Sequence, residues 1–263
     1  MRLSDKVVVV TGGASGIGAA FARRFAAEQA ACVVVADLDE AGAGQVAGEL
    51  GGAAEARWVD VGDETALADL VRGVLDRHGR IDLFCSNAGI GTGTGLDTTA
   101  EDWQRTWAVN VMSHVYGARA VLPSMVDRGE GYLLLTCSAA GLLTAVGDAP
   151  YTITKHAAVG FAEWLAVMYA DHGVRVSALC PLGVDTPMLR AGVSAGHLLA
   201  KATSTNAILS AEAVADATVA GIAEERFLIL PHPEVADYWK HKASDPDGWL
   251  SSLRDVIRPL AAS

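Results

Sequence analysis

The stretch Val7-Val8-Val9-Val10-Thr11-Gly12-Gly13-Ala14-Ser15-Gly16-Ile17-Gly18 decides the fold of this 263-residue chain. Its β-branched half predicts a buried strand, and its glycines predict a tight turn into a helix. Glycine lets a pyrophosphate approach the backbone, and the free N–H groups of the helix start then face the anion. An ordinary strand–helix turn also uses glycines, and the spacing is not the commoner G-x-G-x-x-G. We nevertheless expect a dinucleotide phosphate loop at Gly12, Ser15, Gly16, Ile17 and Gly18.

The second predicted strand ends at Asp37, which strengthens this interpretation. An acid at this distance beyond the glycines can bind both ribose hydroxyls of NAD, and it repels the 2′-phosphate of NADP. The sequence places no Arg or Lys between Gly12 and Gly18 or beside Asp37 to attract that phosphate. Asp37 could instead merely cap the next helix. Together with the glycines it predicts binding of NAD(H) in preference to NADP(H).

Short apolar runs alternate with Ala-rich helical stretches along the whole chain. Strands that are apolar on both faces and separated by crossover helices indicate a parallel sheet covered on both sides. We therefore predict an α/β fold: a single Rossmann-type, doubly wound parallel sheet of about seven strands, over residues 1–263. The predicted strands are Val7–Val10, Cys32–Ala36, Ala56–Val61, Ile81–Cys85, Tyr132–Thr136, Val174–Leu179 and Phe227–Leu230. The predicted helices are Ile17–Gln29, Glu40–Leu50, Glu64–His78, Ala100–Arg128, Thr152–Asp171 and Ala211–Ala223.

Two segments depart from this alternation. Residues 186–209 are rich in Ala, Gly, Ser and Thr, which is typical of a lid over a ligand or of a plain surface loop. Residues 233–263 form a C-terminal tail that carries Tyr238, Trp239 and Trp249. We expect these aromatic side chains to pack a terminal helix rather than to contact a ligand.

Composition excludes several classes of protein. With 51% hydrophobic and 19% charged residues the chain can bury a large core and is not disordered. The net charge of -11, without a basic stripe, argues against a nucleic-acid partner. The apolar runs are far shorter than the ~20 residues of a spanning helix, so we expect no membrane partner. The first strand begins at Val7, which leaves no room for a signal peptide.

The four cysteines, Cys32, Cys85, Cys137 and Cys180, lie within apolar runs and show no C-x-x-C spacing. Buried thiols in a reducing cytoplasm are the expected state, and Cys137, beside Ser138, is the one candidate for a function. The seven histidines show no metal-ligand spacing, so we predict no metal site, and His156 is interpreted as structural.

Further along the chain, the motifs resemble those of the short-chain dehydrogenase/reductase family of the Tyr-x-x-x-Lys type, from about Leu3 to Met188. The glycine loop matches, Asp60 and Val61 match the adenine-side acid, and Ser86-Asn87-Ala88-Gly89 stands where the family has Asn-Asn-Ala-Gly. The resemblance implies four catalytic residues: Asn110, Ser138, Tyr151 and Lys155. It also implies cofactor contacts from Asp37, Asp60, Val61, Asn87, Ala88, Gly89, Tyr151, Lys155, Pro181, Val184 and Thr186.

One departure from the family lies after the sixth strand, where Pro-Gly is usual and this chain has Pro181-Leu182-Gly183. Leu182 adds bulk beside the expected nicotinamide site. The walls expected around the substrate are mostly small or apolar, which favours an uncharged, moderately hydrophobic alcohol or ketone, although Arg190 leaves an acid open. The predicted substrate contacts are Ser138, Ala140, Tyr151, Leu182 and Met188.

The spacing of Tyr151 and Lys155 suits proton transfer, because residues four apart share one face of a helix. A free tyrosine has a pKa of about 10, and a neighbouring ammonium and a positive nicotinamide should lower that pKa. Tyr151 could then take or return the hydroxyl proton while Ser138 binds the substrate oxygen. By resemblance, Lys155 holds the nicotinamide ribose and Asn110 positions a water molecule in a proton relay.

The helix after Tyr151 is apolar nearly all round, from Ala157 to Met168. A helix on the surface of a sheet should keep a polar stripe. Either it is buried within one chain or it packs against a second copy, and the resemblance implies a homodimer or homotetramer.

Three functions remain open on the sequence. The first is an NAD-dependent dehydrogenase for secondary alcohols, which Asp37 favours. The second is an NADPH-dependent carbonyl reductase on the same fold. The third is a cofactor-binding regulator without turnover, which would not need Tyr151 beside Lys155.

Overall fold

A computed structural model of the protein describes residues 1–261. Its strands are β1 (Val7–Thr11), β2 (Cys32–Asp37), β3 (Ala54–Trp58), β4 (Leu83–Ser86), β5 (Gly131–Thr136), β6 (Val174–Leu179), β7 (Gly183–Asp185), β8 (Ile208–Ser210) and β9 (Leu228–Ile229). Seven of them form one parallel sheet in the order β3-β2-β1-β4-β5-β6-β9. The predicted Rossmann-type sheet is therefore confirmed, with β7 and β8 forming a separate two-stranded parallel sheet.

Helices cover both faces of this sheet. They are α1 (Gly16–Ala27), α2 (Glu40–Leu50), α3 (Glu64–His78), α4 (Ala100–Trp107), α5 (Ser113–Arg128), α6 (Ala149–Tyr169), α7 (Pro187–Ser194), α8 (Leu198–Thr203), α9 (Ala211–Ala223), α10 (Glu234–Ser244) and α11 (Pro246–Ala261). Alternate β1 residues divide between two cores, since strand side chains point to opposite faces. Val8 joins the core under α1, α2 and α9, and Val9 joins the core under α3, α5 and α6.

The strand order reverses between β1 and β4, and this reversal positions the site. Strands β1, β2 and β3 run outward in one direction, and β4, β5 and β6 run outward in the other. Their crossover helices diverge there and open a crevice at the carboxyl ends of the strands, where ligands bind in open α/β sheets. Thr11, Ser86 and Thr136 mark that edge.

Several element boundaries differ from the predictions, and three of these differences have a clear physical reason. The third strand spans Ala54–Trp58 instead of Ala56–Val61, because pairing with β2 ends there and Asp60 forms a turn by accepting from the Gly62 N–H at 2.9 Å. The long helix predicted over Ala100–Arg128 is interrupted by a π-helical turn at Ala108–Met112. Pro150 at the second position of α6 lets that helix begin at Ala149 instead of at Thr152.

The two irregular segments are largely helical. Residues 186–209 contain α7, α8 and part of β8, while the tail forms α10 and α11. Trp249 is buried and lies 6.2 Å from the Tyr238 ring, as expected for packing, whereas Trp239 is 41% exposed. Residues 262 and 263 of the predicted tail lie outside the described residues. Within residues 1–261, no helix has both the length and the apolar character needed to cross a bilayer.

Candidate active site

The glycines at the turn between β1 and α1 stand at positions where a side chain would not fit. A Cβ on Gly18 would lie 2.0 Å from the Gly12 carbonyl oxygen, and Gly16 has φ +52° with its Cβ position 3.2 Å from Thr186 Cγ2. The helix begins at Gly16, and the Ser15 side chain makes no capping hydrogen bond to it. Bare backbone and uncapped N–H groups at a helix start suit a phosphate group, so these residues fit the predicted dinucleotide.

Two carboxylates line the cleft where the sequence predicts the adenosine side of the cofactor. Asp37 Oδ2 accepts from the Ala14 N–H at 2.9 Å, and its Oδ1 accepts from the Asp39 N–H at 3.0 Å. Asp37 thus holds the backbone of the glycine turn while it lines the cleft. Asp60 and Val61 lie beyond the end of β3 and line the same side.

Asn87, Ala88 and Gly89 follow β4 and cross the middle of the cleft. The Asn87 side chain donates to the Thr11 carbonyl at 3.0 Å, and its Oδ1 accepts from the Thr136 hydroxyl at 3.0 Å. Asn87 therefore connects the ends of β1 and β5. Its amide stabilises the floor of the predicted cofactor site, a role that the resemblance did not indicate.

Asn110 lies in the π-helical turn and is completely buried. Its Nδ2 donates to the Ile90 carbonyl at 2.8 Å and to the Thr154 hydroxyl at 3.1 Å, and its Oδ1 accepts from the Ile90 N–H at 2.9 Å. Both N–H groups of the side chain are used in this way. Asn110 thus fixes the loop after Gly89 against α6, and π turns of this kind often occur at functional sites. Its part in a water relay stays a prediction.

The predicted catalytic side chains meet between β5 and α6. The Ser138 side chain accepts from the Ala140 N–H at 3.1 Å and lies close enough to Tyr151 to influence its pKa. Lys155 is 2% exposed, and its Nζ donates to the Thr136 carbonyl at 3.0 Å and lies 5.6 Å from the centre of the Tyr151 ring. One helical turn therefore presents a phenol and an ammonium to the same wall of the cleft.

The pKa of Tyr151 moves in the direction opposite to the one expected from the sequence. Burial raises this pKa above its ordinary value, and the neighbouring Ser138 side chain offsets only part of the effect. Burial also lowers the pKa of Lys155. Desolvation disfavours both charged forms. The protein alone therefore favours a neutral tyrosine, and a phenolate requires additional positive charge in the cleft.

Asp148 is a residue of the site that the sequence analysis missed. It is 1% exposed, and its carboxylate accepts from the N–H groups of Thr92, Gly93 and Tyr151 at 2.8, 2.6 and 2.9 Å. It also accepts from the Thr92 hydroxyl at 3.0 Å. Asp148 caps the start of α6, three residues before Tyr151. It also fixes the loop at Thr92 and Gly93. An Asp two residues before a proline was the available signal for the cap, but its partners more than 50 residues away were not visible.

The cleft holds about 1470 Å³, more than the roughly 300–1,000 Å³ of common small-ligand sites. It has room for a dinucleotide and a second molecule. All predicted cofactor and substrate contacts line it, including Pro181, Leu182, Val184, Thr186 and Met188. Among the four predicted catalytic residues, Asn110 alone does not line the cleft and lies behind its wall. Arg190 is 3.0 Å from Asp185 in an exposed ion pair and does not line the cleft.

The predicted lid and the C-terminal tail close the outer half of the cleft. The His197 ring packs on Gly93, and the helices α7, α8 and α11 contribute wall residues. Lys242 of α10 donates to the carbonyls of Leu142 and Leu143 at 2.8 and 2.7 Å, just after the Ser138 turn. It also contacts His156 at 3.3 Å, which gives His156 a structural partner.

One group of possible metal ligands lies away from the cleft, where the sequence analysis expected none. Cys32, Glu55 and His78 come from three elements, with 3.7 Å between Cys32 Sγ and His78 Nε2 and 3.3 Å between His78 Nε2 and Glu55 Oε1. The other Glu55 oxygen lies 3.1 Å from Arg57 and 3.2 Å from Arg77. Two guanidinium groups therefore neutralise this carboxylate without a metal ion.

Comparison with known protein families matches residues 6–195 to the short chain dehydrogenase model. Among curated proteins, 1-deoxy-11-beta-hydroxypentalenate dehydrogenase of Streptomyces exfoliatus is 34% identical over 261 residues, which cover 94% of this chain and 93% of that protein. Sex determination protein tasselseed-2 of Zea mays is 38% identical over 203 residues, 74% of this chain. That match covers only 60% of the maize protein.

Solved structures show the same architecture. A short chain dehydrogenase/reductase from Burkholderia phymatum in complex with NAD superposes with a TM-score of 0.86 at 30% identity, covering 94% of this chain and 96% of that one. A short-chain dehydrogenase from Sphingobium yanoikuyae in complex with NADPH gives 0.79 at 26% identity, covering 94% and 95%. The two neighbours thus hold different nicotinamide cofactors.

Proposed function

Because the chain belongs to the short-chain dehydrogenase/reductase family of oxidoreductases, we propose that it transfers a hydride between NAD(H) and a secondary alcohol or ketone. The observation that carries this proposal is the meeting of Ser138, Tyr151 and Lys155 on one wall of a cleft that begins at the glycine turn. A binding protein without turnover has no use for a buried ammonium beside a phenol.

The roles of the side chains follow from their contacts. Ser138 orients the substrate oxygen, because it lines the cleft beside Tyr151 and its hydroxyl can still donate a hydrogen bond. Tyr151 takes the alcohol proton during oxidation and returns it during reduction. Lys155 keeps a positive charge near the phenol and has N–H groups left for a ribose hydroxyl after it donates to Thr136.

A nicotinamide held by these residues would supply the hydride acceptor or donor, and its oxidised ring would add positive charge to the cleft. That charge favours the phenolate of Tyr151, whose pKa the protein alone raises. Proton removal is therefore coupled to occupation of the cofactor site by the oxidised form. Tyr151 therefore stays neutral when no hydride acceptor is present.

The preference for NAD(H) over NADP(H) rests on Asp37. Its carboxylate lines the adenosine side of the cleft and is held in place by two backbone N–H groups. A 2′-phosphate at this position would meet a fixed negative charge, whereas ribose hydroxyls can donate to it. The alternative is an NADPH-dependent carbonyl reductase, since the short-chain dehydrogenase from Sphingobium yanoikuyae binds NADPH on the same fold.

The substrate half of the cleft supports an uncharged, hydrophobic alcohol or ketone. Its walls combine residues of the Ser138 turn, the lid and the last helix, and most of them are apolar: Ala140, Leu143, Val146, Leu182, Met188, Leu199, Trp249, Leu253, Val256 and Ile257. Arg190 is occupied by Asp185 outside this wall. An acid substrate, which the sequence left open, is therefore disfavoured.

We further propose that residues 1–263 act as one domain within a homodimer or homotetramer in the cytoplasm. The four cysteines are buried free thiols. Thiols in this state suit a reducing compartment. The exposed apolar face of α6 supports the oligomer.

The first test is nicotinamide absorbance with NAD, NADP and a panel of secondary alcohols and ketones, beside the variant Tyr151→Phe. We expect turnover with NAD that falls by about 10²- to 10⁴-fold in this variant, the usual contribution of a general acid–base group. NADH binding, followed by fluorescence, should be retained because the ring remains in place.

Tyr169→Phe is the matched control, since it removes the same hydroxyl from the far end of the same helix. It should leave turnover unchanged. Full activity of Tyr151→Phe would show that the assignment of the proton donor is wrong. Equal rates with NADPH and ketones would favour the carbonyl reductase, and NADH binding without any turnover across the panel would favour the regulator.

A further inference from the structure

A buried histidine binds the backbone on both sides of Leu182, where this chain departs from the family pattern. His232 follows β9 and is 1% exposed. Its Nδ1 accepts from the Leu182 N–H at 3.1 Å, and its Nε2 lies 3.0 Å from the Gly183 carbonyl oxygen. One imidazole ring therefore connects the last strand to two successive residues some 50 positions earlier in the chain.

The two partners define the proton on this ring. The Leu182 N–H can only donate, so Nδ1 must carry a free lone pair. The Gly183 carbonyl can only accept, so Nε2 must carry the hydrogen. His232 is thus a neutral imidazole with both nitrogens satisfied. Loss of the ring would leave a buried backbone donor and a buried backbone acceptor without these bonds, which is costly in a dry interior.

The segment held by His232 lies against the predicted nicotinamide half of the cleft. Pro181, Leu182, Val184 and Thr186 line it, while Gly183 begins β7. The Thr186 methyl group lies 3.2 Å from the Cβ position of Gly16, so a shift of this segment alters its contact with the glycine turn. The imidazole ring itself is not part of the cleft wall. It acts on the site only through the backbone that it holds.

We propose that His232 is a positioning residue: it fixes the backbone of residues 181–186 against the nicotinamide half of the cofactor and sets the place of the Leu182 side chain. This role rests on the proposed function, because it needs a nicotinamide in that half of the cleft. The adenosine half, marked by Asp37 and Asp60, is formed by other loops. The two halves should therefore respond differently to loss of the ring.

The test compares the binding of NADH and of ADP, by fluorescence and calorimetry, to the wild type and to His232→Ala. NADH affinity should fall by about tenfold, the scale of one lost buried hydrogen bond. ADP affinity should stay within twofold, since ADP lacks the nicotinamide half. The conservative variants test the geometry: His232→Asn keeps an acceptor near Nδ1, and His232→Gln keeps a donor near Nε2. Each should recover part of the NADH affinity.

Ser177→Ala is the matched control for a merely structural defect. The Ser177 hydroxyl also connects β6 to the segment before β9, by donating to the Arg226 carbonyl at 2.5 Å, but it does not line the cleft. This control should lower the thermal midpoint as His232→Ala does, without weakening NADH binding. If His232→Ala does not fold, the Asn and Gln variants carry the same comparison.

Each of the following outcomes would overturn the positioning role of His232. Equal losses for NADH and ADP, or a similar loss of NADH binding in Ser177→Ala, would reduce His232 to a structural residue. Unchanged NADH binding in His232→Ala would overturn the positioning role directly. A wild type that binds ADP but not NADH would overturn the proposed function, and the positioning role with it.

Discussion

At the residue scale, the Asp37 carboxylate has two contacts to explain, one with the backbone of the glycine turn and one with the cleft, and a substitution can separate their effects. It supports the glycine turn through Ala14, and it faces the adenosine side of the cleft. Asp37→Asn keeps the size of the side chain and removes its charge. We expect the ratio of kcat/KM for NAD to that for NADP to fall at least tenfold, because the repulsion of the 2′-phosphate is lost.

Steady-state kinetics with both cofactors measures this ratio. Asp39→Asn is the control, since Asp39 is exposed and accepts from the Gly42 N–H at the start of α2. It should leave the ratio unchanged. If Asp37→Asn retains the wild-type ratio, Asp37 does not determine the choice between NAD and NADP.

His114 makes the fold sensitive to acid. Burial, with a smaller contribution from the Lys155 charge, lowers the pKa of His114 to about 3. The unfolded chain binds a proton near pH 6.5 and the folded chain does not, so the free energy of unfolding falls as the pH drops below 6.5. Between pH 6.5 and 5 the loss is about 2 kcal/mol at 1.4 kcal/mol per pH unit.

Urea unfolding at the two pH values measures this loss. His114→Gln keeps an amide near Ser86, the partner of Nδ1 at 2.6 Å, and should remove most of the pH dependence. His172→Gln, at an exposed histidine, should not. Equal pH dependence in wild type and His114→Gln would mean that other groups cause the acid sensitivity.

At the scale of elements, the start of α6 decides how Tyr151 is presented. The Asp148 carboxylate joins this helix to the loop at Thr92 and Gly93. Asp148→Asn replaces one acceptor oxygen by an NH₂ group that faces donors. We expect the free energy of unfolding to fall by about 2 kcal/mol, because charge-assisted bonds contribute roughly 1.5–3 kcal/mol each, and kcat to fall with it.

Chemical unfolding and steady-state kinetics together check this expectation. Ser210→Ala removes a simple helix cap, the bond to the Ala213 N–H at the start of α9. It should cost about 1 kcal/mol and leave kcat unchanged. An Asp148→Asn enzyme with normal kcat would show that the cap supports stability alone.

The elements also show what a sequence can predict. The strand pattern placed β1, β2 and β6 within one residue of their observed ends, because each is a continuous apolar run. Tyr151 and Lys155 could be paired because residues four apart meet on any helix. The partners of Asp148 and His232 lie about 50 residues away, so only the folded chain shows them. The hydrogen bonds between the Asn110 side chain in the π turn and the Ile90 backbone are likewise visible only in the folded chain.

At the scale of the whole molecule, α6 leaves a large apolar surface uncovered on the single chain. Ile153, Trp164, Val167 and Met168 are each at least 50% exposed. A contiguous patch of this kind usually marks an interface. We therefore expect the mass in solution to be a multiple of the chain mass, and we expect Val167→Glu to shift the protein toward monomer.

Light scattering at micromolar concentration measures both masses. Leu96→Glu is the control, since Leu96 is 92% exposed on a loop and is not part of α6, and this change should leave the mass unchanged. A wild type that is monomeric throughout this range would contradict the prediction.

Lys242 contacts Leu142 and Leu143, so this part of the fold cannot be completed until the ribosome has synthesised Lys242. These partners are separated by about 100 residues along the chain. At the roughly 5–20 residues per second of translation, the ribosome needs about 5 to 20 seconds to reach Lys242 after it has made the Ser138 turn. During this interval the apolar substrate wall of the nascent chain lacks its final helices. We therefore expect the nascent chain to expose these apolar residues until α10 and α11 have been synthesised.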